Sequence, residues 1–116
     1  MLRKKLDKSS FLHRGTAIPK AMAEMFGNPK ETKDVVIQAS GKLFEAKVKV
    51  FPNGRLQLIW KSEFAKFLQE KFPEAFEAIK SGNDDVEMPS MIIEPTEIKT
   101  VFGISFTSQF RIQLLK

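Results

Sequence analysis

The sequence predicts an α+β fold built on a mostly antiparallel sheet. Three observations predict it. Segments of period two outnumber those of helical period. The most explicit turn signal, Pro52-Asn53-Gly54, sits between two alternating stretches, as in a hairpin. Helical segments are too short and too few to supply the crossovers of a doubly wound sheet, and the pattern holds too many strands for a helix bundle. At 116 residues the chain has the size of one domain.

The elements follow in chain order. Residues 1–12 are mixed and suit a strand around Leu6. Gly15 marks a loop, and Ile18-Pro19 is an extended step, because the residue before proline avoids the α region. Pro19 can open a helix as its first residue, Ala21, Met22 and Met25 give that helix an apolar face, and Gly27 ends it after Phe26. A polar loop covers residues 28–32. Asp34 to Ala39 reads as a strand and Ser40-Gly41-Lys42 as a turn. From Leu43 to Phe51 the alternation is clean: Phe44, Ala46, Val48 and Val50 share one face, Glu45, Lys47 and Lys49 the other. Arg55 to Trp60 returns, with Leu56, Leu58 and Trp60 on its apolar face. Ser62 can cap a helix over residues 63–71, where Phe64, Phe67, Leu68 and Phe72 fall at helical spacing. Pro73 restarts a second helix that ends at Gly82. An acidic loop, residues 83–87, precedes three expected strands: Met88 to Glu94, Thr100 to Phe106 and Gln109 to Leu115.

Composition excludes several function classes. With 42% hydrophobic and 28% charged residues the chain is globular rather than disordered. Eleven Phe, one Trp and no Tyr point to a core built on phenylalanine. Without cysteine there is no disulfide framework and no thiolate metal site, and the single histidine, His13, cannot make a His-based zinc site. Gly-rich phosphate loops and nucleophile elbows are absent. No apolar run approaches the ~20 residues of a membrane helix, and the basic N-terminus leads into no signal-like stretch. The expectation is an intracellular protein: cytoplasmic and on the nucleoid in a prokaryote, nuclear in a eukaryote.

The distribution of charge is more informative than its net value of +5. Residues 1–20 carry six Lys or Arg against one acid, and residues 41–61 carry five against one. Residues 62–116 carry nine acids against six bases. Two separated basic stretches suit a polyanion, because clustered charges add to one local potential.

Certain residues within these stretches resemble the B-three-like DNA-binding pseudobarrel. This is the fold of plant B-three transcription-factor domains and of recognition domains in EcoRII- and BfiI-type restriction endonucleases. Lys8-Ser9-Ser10 opens the matching region. Ala17-Ile18-Pro19-Lys20 and the following Ala21 to Glu24 are similar to the family's Val-Ile-Pro-Lys strand and short helix. The hairpin through Pro52-Asn53-Gly54-Arg55 follows, and Trp60-Lys61-Ser62-Glu63-Phe64 is similar to the family's Trp-x-x-x-Phe entry into its second helix. The likeness spans residues 8–72. Ile59 stands where the family usually has Gly, and Pro73 to Lys80 replaces the Gly-Asp of the plant domains with extra helix.

The resemblance implies an open pseudobarrel of about seven strands with two to three short helices, and two arms that grip duplex DNA from the major groove. The arms would fall at about Lys8 to Thr16 and Phe51 to Arg55, inside the two basic stretches. Arg14, beside Gly15, and Arg55, after the Asn-Gly turn, are the candidates for base readout, since an arginine can bond both major-groove acceptors of guanine. Lys47 and Lys49 are candidates for phosphate contact. Lys8, Ser9, Ser10, His13, Thr16, Lys20, Lys42 and Asn53 complete the candidate set, although Ser, Thr and Asn in turns commonly bond their own backbone. Trp60 and Phe64 read as core. The implied partner is double-stranded DNA, with a covalently linked or separate nuclease domain and with no cofactor, metal, membrane or small-molecule substrate. Two other readings stay open: a PD-(D/E)xK-type nuclease using Asp34, Glu45 and Lys47 around a divalent metal, and a basic RNA- or protein-binding module.

Overall fold

The computed structural model describes residues 2–27, 29–83, 85–101 and 104–115. Asn28, Asp84, Phe102, Gly103 and the side chains of Met25 and of residues 97–101 and 104–108, all parts of expected elements, lie outside that description. The chain forms β1 (Leu2–Lys5), α1 (Lys8–Leu12), β2 (Gly15–Ile18), a 3-10 helix (Lys20–Phe26), β3 (Lys33–Ala39), β4 (Lys42–Val50), β5 (Leu56–Trp60), α2 (Ser62–Lys71), α3 (Pro73–Ser81), β6 (Ser90–Val101) and β7 (Ile104–Leu115). The seven strands form one sheet in the order β1-β6-β7-β3-β4-β5-β2.

Every neighbouring pair is antiparallel except β3 and β7, which run parallel over Val36–Gln38 and Gln109–Arg111. The expected α+β, mostly antiparallel architecture is therefore present. The two edge strands, β1 and β2, are joined through residues 6–14, five of which are coiled in α1. So short a link makes the sheet curl into an open half-barrel. Leu6 and Phe11 of this link are both fully buried in the core.

Alternation along the strands fills the interior. Val35, Ile37 and Ala39 of β3, Phe44, Ala46 and Val48 of β4, and Leu56, Leu58 and Trp60 of β5 are all buried. The phenylalanine core is real. Phe64 of α2 lies 4.9 Å from Phe44, 5.1 Å from Trp60 and 5.9 Å from Phe67, centroid to centroid. Phe26 packs on Phe110 at 4.5 Å and so pins the 3-10 helix to β7. Lys33 Nζ donates to the Phe26 carbonyl at 3.0 Å, a cation on the last carbonyls of that helix.

Four expectations are corrected. Residues 8–12 are helix, not loop. Asp7 caps them: its Oδ1 accepts from Ser10 N at 3.1 Å, and Asp7 N donates to Ser10 Oγ at 3.4 Å. Pro19 flanks its helix as the cap residue rather than entering it, and that helix is 3-10 in form. Ser62 is the first helical residue of α2; Lys61, with no side-chain cap bond, holds the cap position. The last three expected strands are two of 12 residues each, and the expected strand Thr100 to Phe106 straddles their junction.

Gly15 packs directly against the backbone of β5. A Cβ there would stand 2.9 Å from the Leu58 carbonyl oxygen and 3.3 Å from Gln57 Nε2. The first of these neighbours is backbone and cannot turn aside. Gly15→Ala is expected to lower stability by roughly 1–2 kcal/mol, measured by chemical denaturation.

Candidate nucleic-acid interface

The strand register decides which side chains share the outer face of β2, β5 and β4. Gly15 lies opposite Ile59 and Ile59 opposite Lys47; Ala17 lies opposite Gln57 and Gln57 opposite Lys49. Side chains alternate, so Ala17, Gln57, Lys47 and Lys49 point outward together. Arg55, two residues before Gln57, continues that row at one end of the ladder. Arg14 stands at the other end, where its carbonyl accepts from Trp60 N at 2.8 Å. The two arginines are thus separated by five residues of β5, on the order of 17 Å. Arg55 closes the face at one end, whereas Arg14, beyond its other end, lines a shallow depression with Ser62, Glu63 and Gln69 of α2.

The first arm is a helix with a short tip. Its Lys8, His13 and Arg14 are exposed. Ser9 Oγ donates to the Gly15 carbonyl at 3.1 Å, and Gln69 Nε2 of α2 donates to the Phe11 carbonyl at 3.0 Å. Ser10 is fully buried in its capping role and Thr16 is 3% exposed, so neither can reach a ligand. Arg14 adopts φ 57°, the left-handed conformation, which a non-glycine side chain rarely takes. The bond from Trp60 N holds it there.

At the second arm, residues 51–55, Gly54 N donates to the Phe51 carbonyl and Phe51 N to the Arg55 carbonyl, both at 2.9 Å. Gly54 supplies the positive φ, 82°, and Asn53 does not share it. Instead Asn53 Oδ1 accepts from Arg55 N at 3.0 Å. That bond makes Asn53 a turn former and leaves Arg55 exposed beside it. Lys49 Nζ lies 5.1 Å from the centroid of the Phe51 ring, a cation–π contact at the arm's base. Lys20 follows Pro19 and Ile18, whose partner is Leu56, so it emerges at this same end. Lys42 is separated from the arm: it starts β4 at the far end, with Nζ 5.8 Å from the Phe67 ring centroid.

Farther across the face, Asp34 is the cross-strand partner of Lys47, and Glu45 pairs ionically with Lys61. The Lys61 ammonium holds the Glu45 carboxyl below the usual carboxylate range, and Glu45 in turn raises Lys61. These four residues line an open depression of about 470 Å³. Lys47 therefore sits among carboxylates, whereas the cross-strand partner of Lys49 is the neutral Gln57. Alternation in the sequence puts Lys47 and Lys49 on one face but does not show what lies across from each. Sequence reasoning also missed Ala17, Phe51 and Gln57, which line a second concavity with Asn53 and Arg55. Gln57 has the parity of Arg55, and that signal could have found it.

No protein-family model and no curated protein matches the chain. Solved structures do. The N-terminal domain of Helicobacter pylori LlaJI.R1 is similar over 98% of this chain and 79% of that one, at 9% identity and a TM-score of 0.59. The Arabidopsis FUS3–DNA complex is similar over 99% and 95%, at 14% identity and a TM-score of 0.58. The chain has the B-three-like pseudobarrel fold that its sequence resembles, and at 98–99% of the chain the likeness reaches well beyond the region that carried the motifs.

Proposed function

We propose that this chain binds double-stranded DNA sequence-specifically from the major groove. Arg14 and Arg55 read bases at the two ends of the face, and Lys49, Lys47, Lys8 and Lys20 contact phosphates. The observation that carries this reading is the register of β2, β5 and β4, which sets the two arginine-bearing arm tips, measured along the backbone, on the order of 17 Å apart at opposite ends of β5 beside one basic row. A major groove ~12 Å wide admits such tips when they follow it lengthwise. One structural neighbour was captured with DNA, which supports the choice of ligand.

The sequence resemblance to endonuclease recognition domains supports a finer role: target recognition for a prokaryotic restriction enzyme whose cutting is done by a linked or separate nuclease domain. In that role the protein works in the cytoplasm, on the nucleoid. Competition between duplex DNA and single-stranded RNA tests the ligand class. Preference for the RNA would reject this reading in favour of an RNA module.

Salt dependence tests the grip. Lys49→Ala is expected to reduce the slope of log K against log salt by about one. Lys47→Ala should reduce it by less, because Asp34 already faces that charge.

One observation favours a hydrolytic reading: Asp34, Glu45 and Lys47 do converge on one outer face. Against it, the Glu45 carboxylate is engaged by Lys61. Plasmid incubated with magnesium should stay intact. Cleavage abolished by Glu45→Ala would establish the nuclease.

A further inference from the structure

The second arm carries a concavity on whose rim Arg55 stands. It is open, about 470 Å³, and lined by Ala17, Phe51, Asn53, Arg55 and Gln57 among others. One wall is apolar: the half-buried Phe51 ring and the methyl group of Ala17. Lys49 Nζ near the Phe51 ring stands on the same arm. The polar element is Gln57, whose partner across the ladder is Ala17 and whose Nε2 lies 3.3 Å from where a Cβ on Gly15 would stand. It is half-buried and has no hydrogen-bond partner among the described residues, whereas the Asn53 carbonyl is already taken by Arg55 N. A free amide offers one donor and one acceptor side by side.

That combination matches one base pair. In the major groove adenine shows N7 as acceptor and N6 as donor, which a Gln amide bonds together, and its partner thymine shows a methyl group that seeks an apolar surface. A G·C pair offers no methyl group, and its guanine shows two acceptors and no donor to the amide oxygen. We propose that this concavity reads an A·T pair, with Gln57 on the adenine edge and Phe51 with Ala17 against the thymine methyl. Arg55, on the same rim, then reads an adjacent guanine. The small side chain at position 17 keeps the concavity open. The inference rests on the duplex-binding reading above and names what one part of that surface selects.

The test is selection of duplexes from a random pool by the wild-type protein and by Gln57→Ala, followed by binding of the chosen duplex with uracil in place of thymine. The selected site is expected to contain an A·T position that Gln57→Ala alone leaves unconstrained, with the other positions retained. Affinity for that duplex should fall on the order of tenfold in the variant. Uracil at the same position should weaken wild-type binding several-fold, and Phe51→Ala should remove that sensitivity. Thermal melts of the two variants confirm that they are folded. A Gln57→Ala site identical to the wild-type site at every position overturns this inference while leaving duplex binding intact. Failure of the wild-type protein to enrich any sequence overturns both.

Discussion

Phe64→Ala is expected to lower the unfolding free energy by about 3–5 kcal/mol. Phe64 is fully buried at the meeting point of α2 with β4 and β5, with Phe44, Phe67 and Trp60 all in ring contact. Truncation removes the transfer term of a large aromatic side chain. It also leaves a cavity that the surrounding rings cannot close, since two of them stand on strands locked by the β4–β5 ladder. Urea denaturation followed by the fluorescence of Trp60 measures the loss directly. The same substitution should loosen the first arm, because α2 holds α1 through the bond from Gln69 to Phe11. Phe64→Leu keeps most of the volume and should cost less than half as much.

Arg14→Gly separates folding from function. The left-handed conformation costs an L-residue about 1–2 kcal/mol, and glycine adopts it freely. Glycine also adds entropy to the unfolded chain, so the net change in stability should lie between zero and a gain of about 1 kcal/mol. Binding to the preferred duplex should weaken by about 1–3 kcal/mol as the bidentate guanine contact is lost. Affinity for random duplex should change far less, since one cation among several is removed. A variant that melts no lower yet loses specific binding would mark Arg14 as a residue kept strained for recognition. Equal losses on both duplexes would reduce it to a phosphate contact.

Much of the fold was legible because its signals are local. The alternation from Leu43 to Val50 gave β4 and both of its faces. Pro52-Asn53-Gly54 gave the second arm, and Pro73 and Gly82 bracketed α3 as expected. The first arm was misread as loop because its capping box uses Ser10 where Glu or Gln is usual. The final hairpin is misdivided because Pro95 reads as a strand break, whereas β6 runs through it with register shifts between Pro95 and Ile98. The parallel pairing of β3 with β7 is non-local and leaves no trace in either segment. The site shows the same split. Parity alone places Lys47, Lys49 and Arg55 together, but the neighbour of each depends on register. The two-residue turn Ser40-Gly41, both at positive φ, is what sets Asp34 against Lys47.

Guanine N7-methylation interference on the duplex selected by the wild-type protein tests the two-arm account most directly. Methylation at N7 blocks the major-groove edge that an arginine bonds. Arms on the order of 17 Å apart, on a duplex rising about 3.4 Å per base pair, predict two clusters of interference roughly five base pairs apart. Arg14→Gly should erase one cluster and Arg55→Ala the other. Interference at no guanine, or a single cluster that both variants weaken alike, would contradict the claim that two separate arms read the groove.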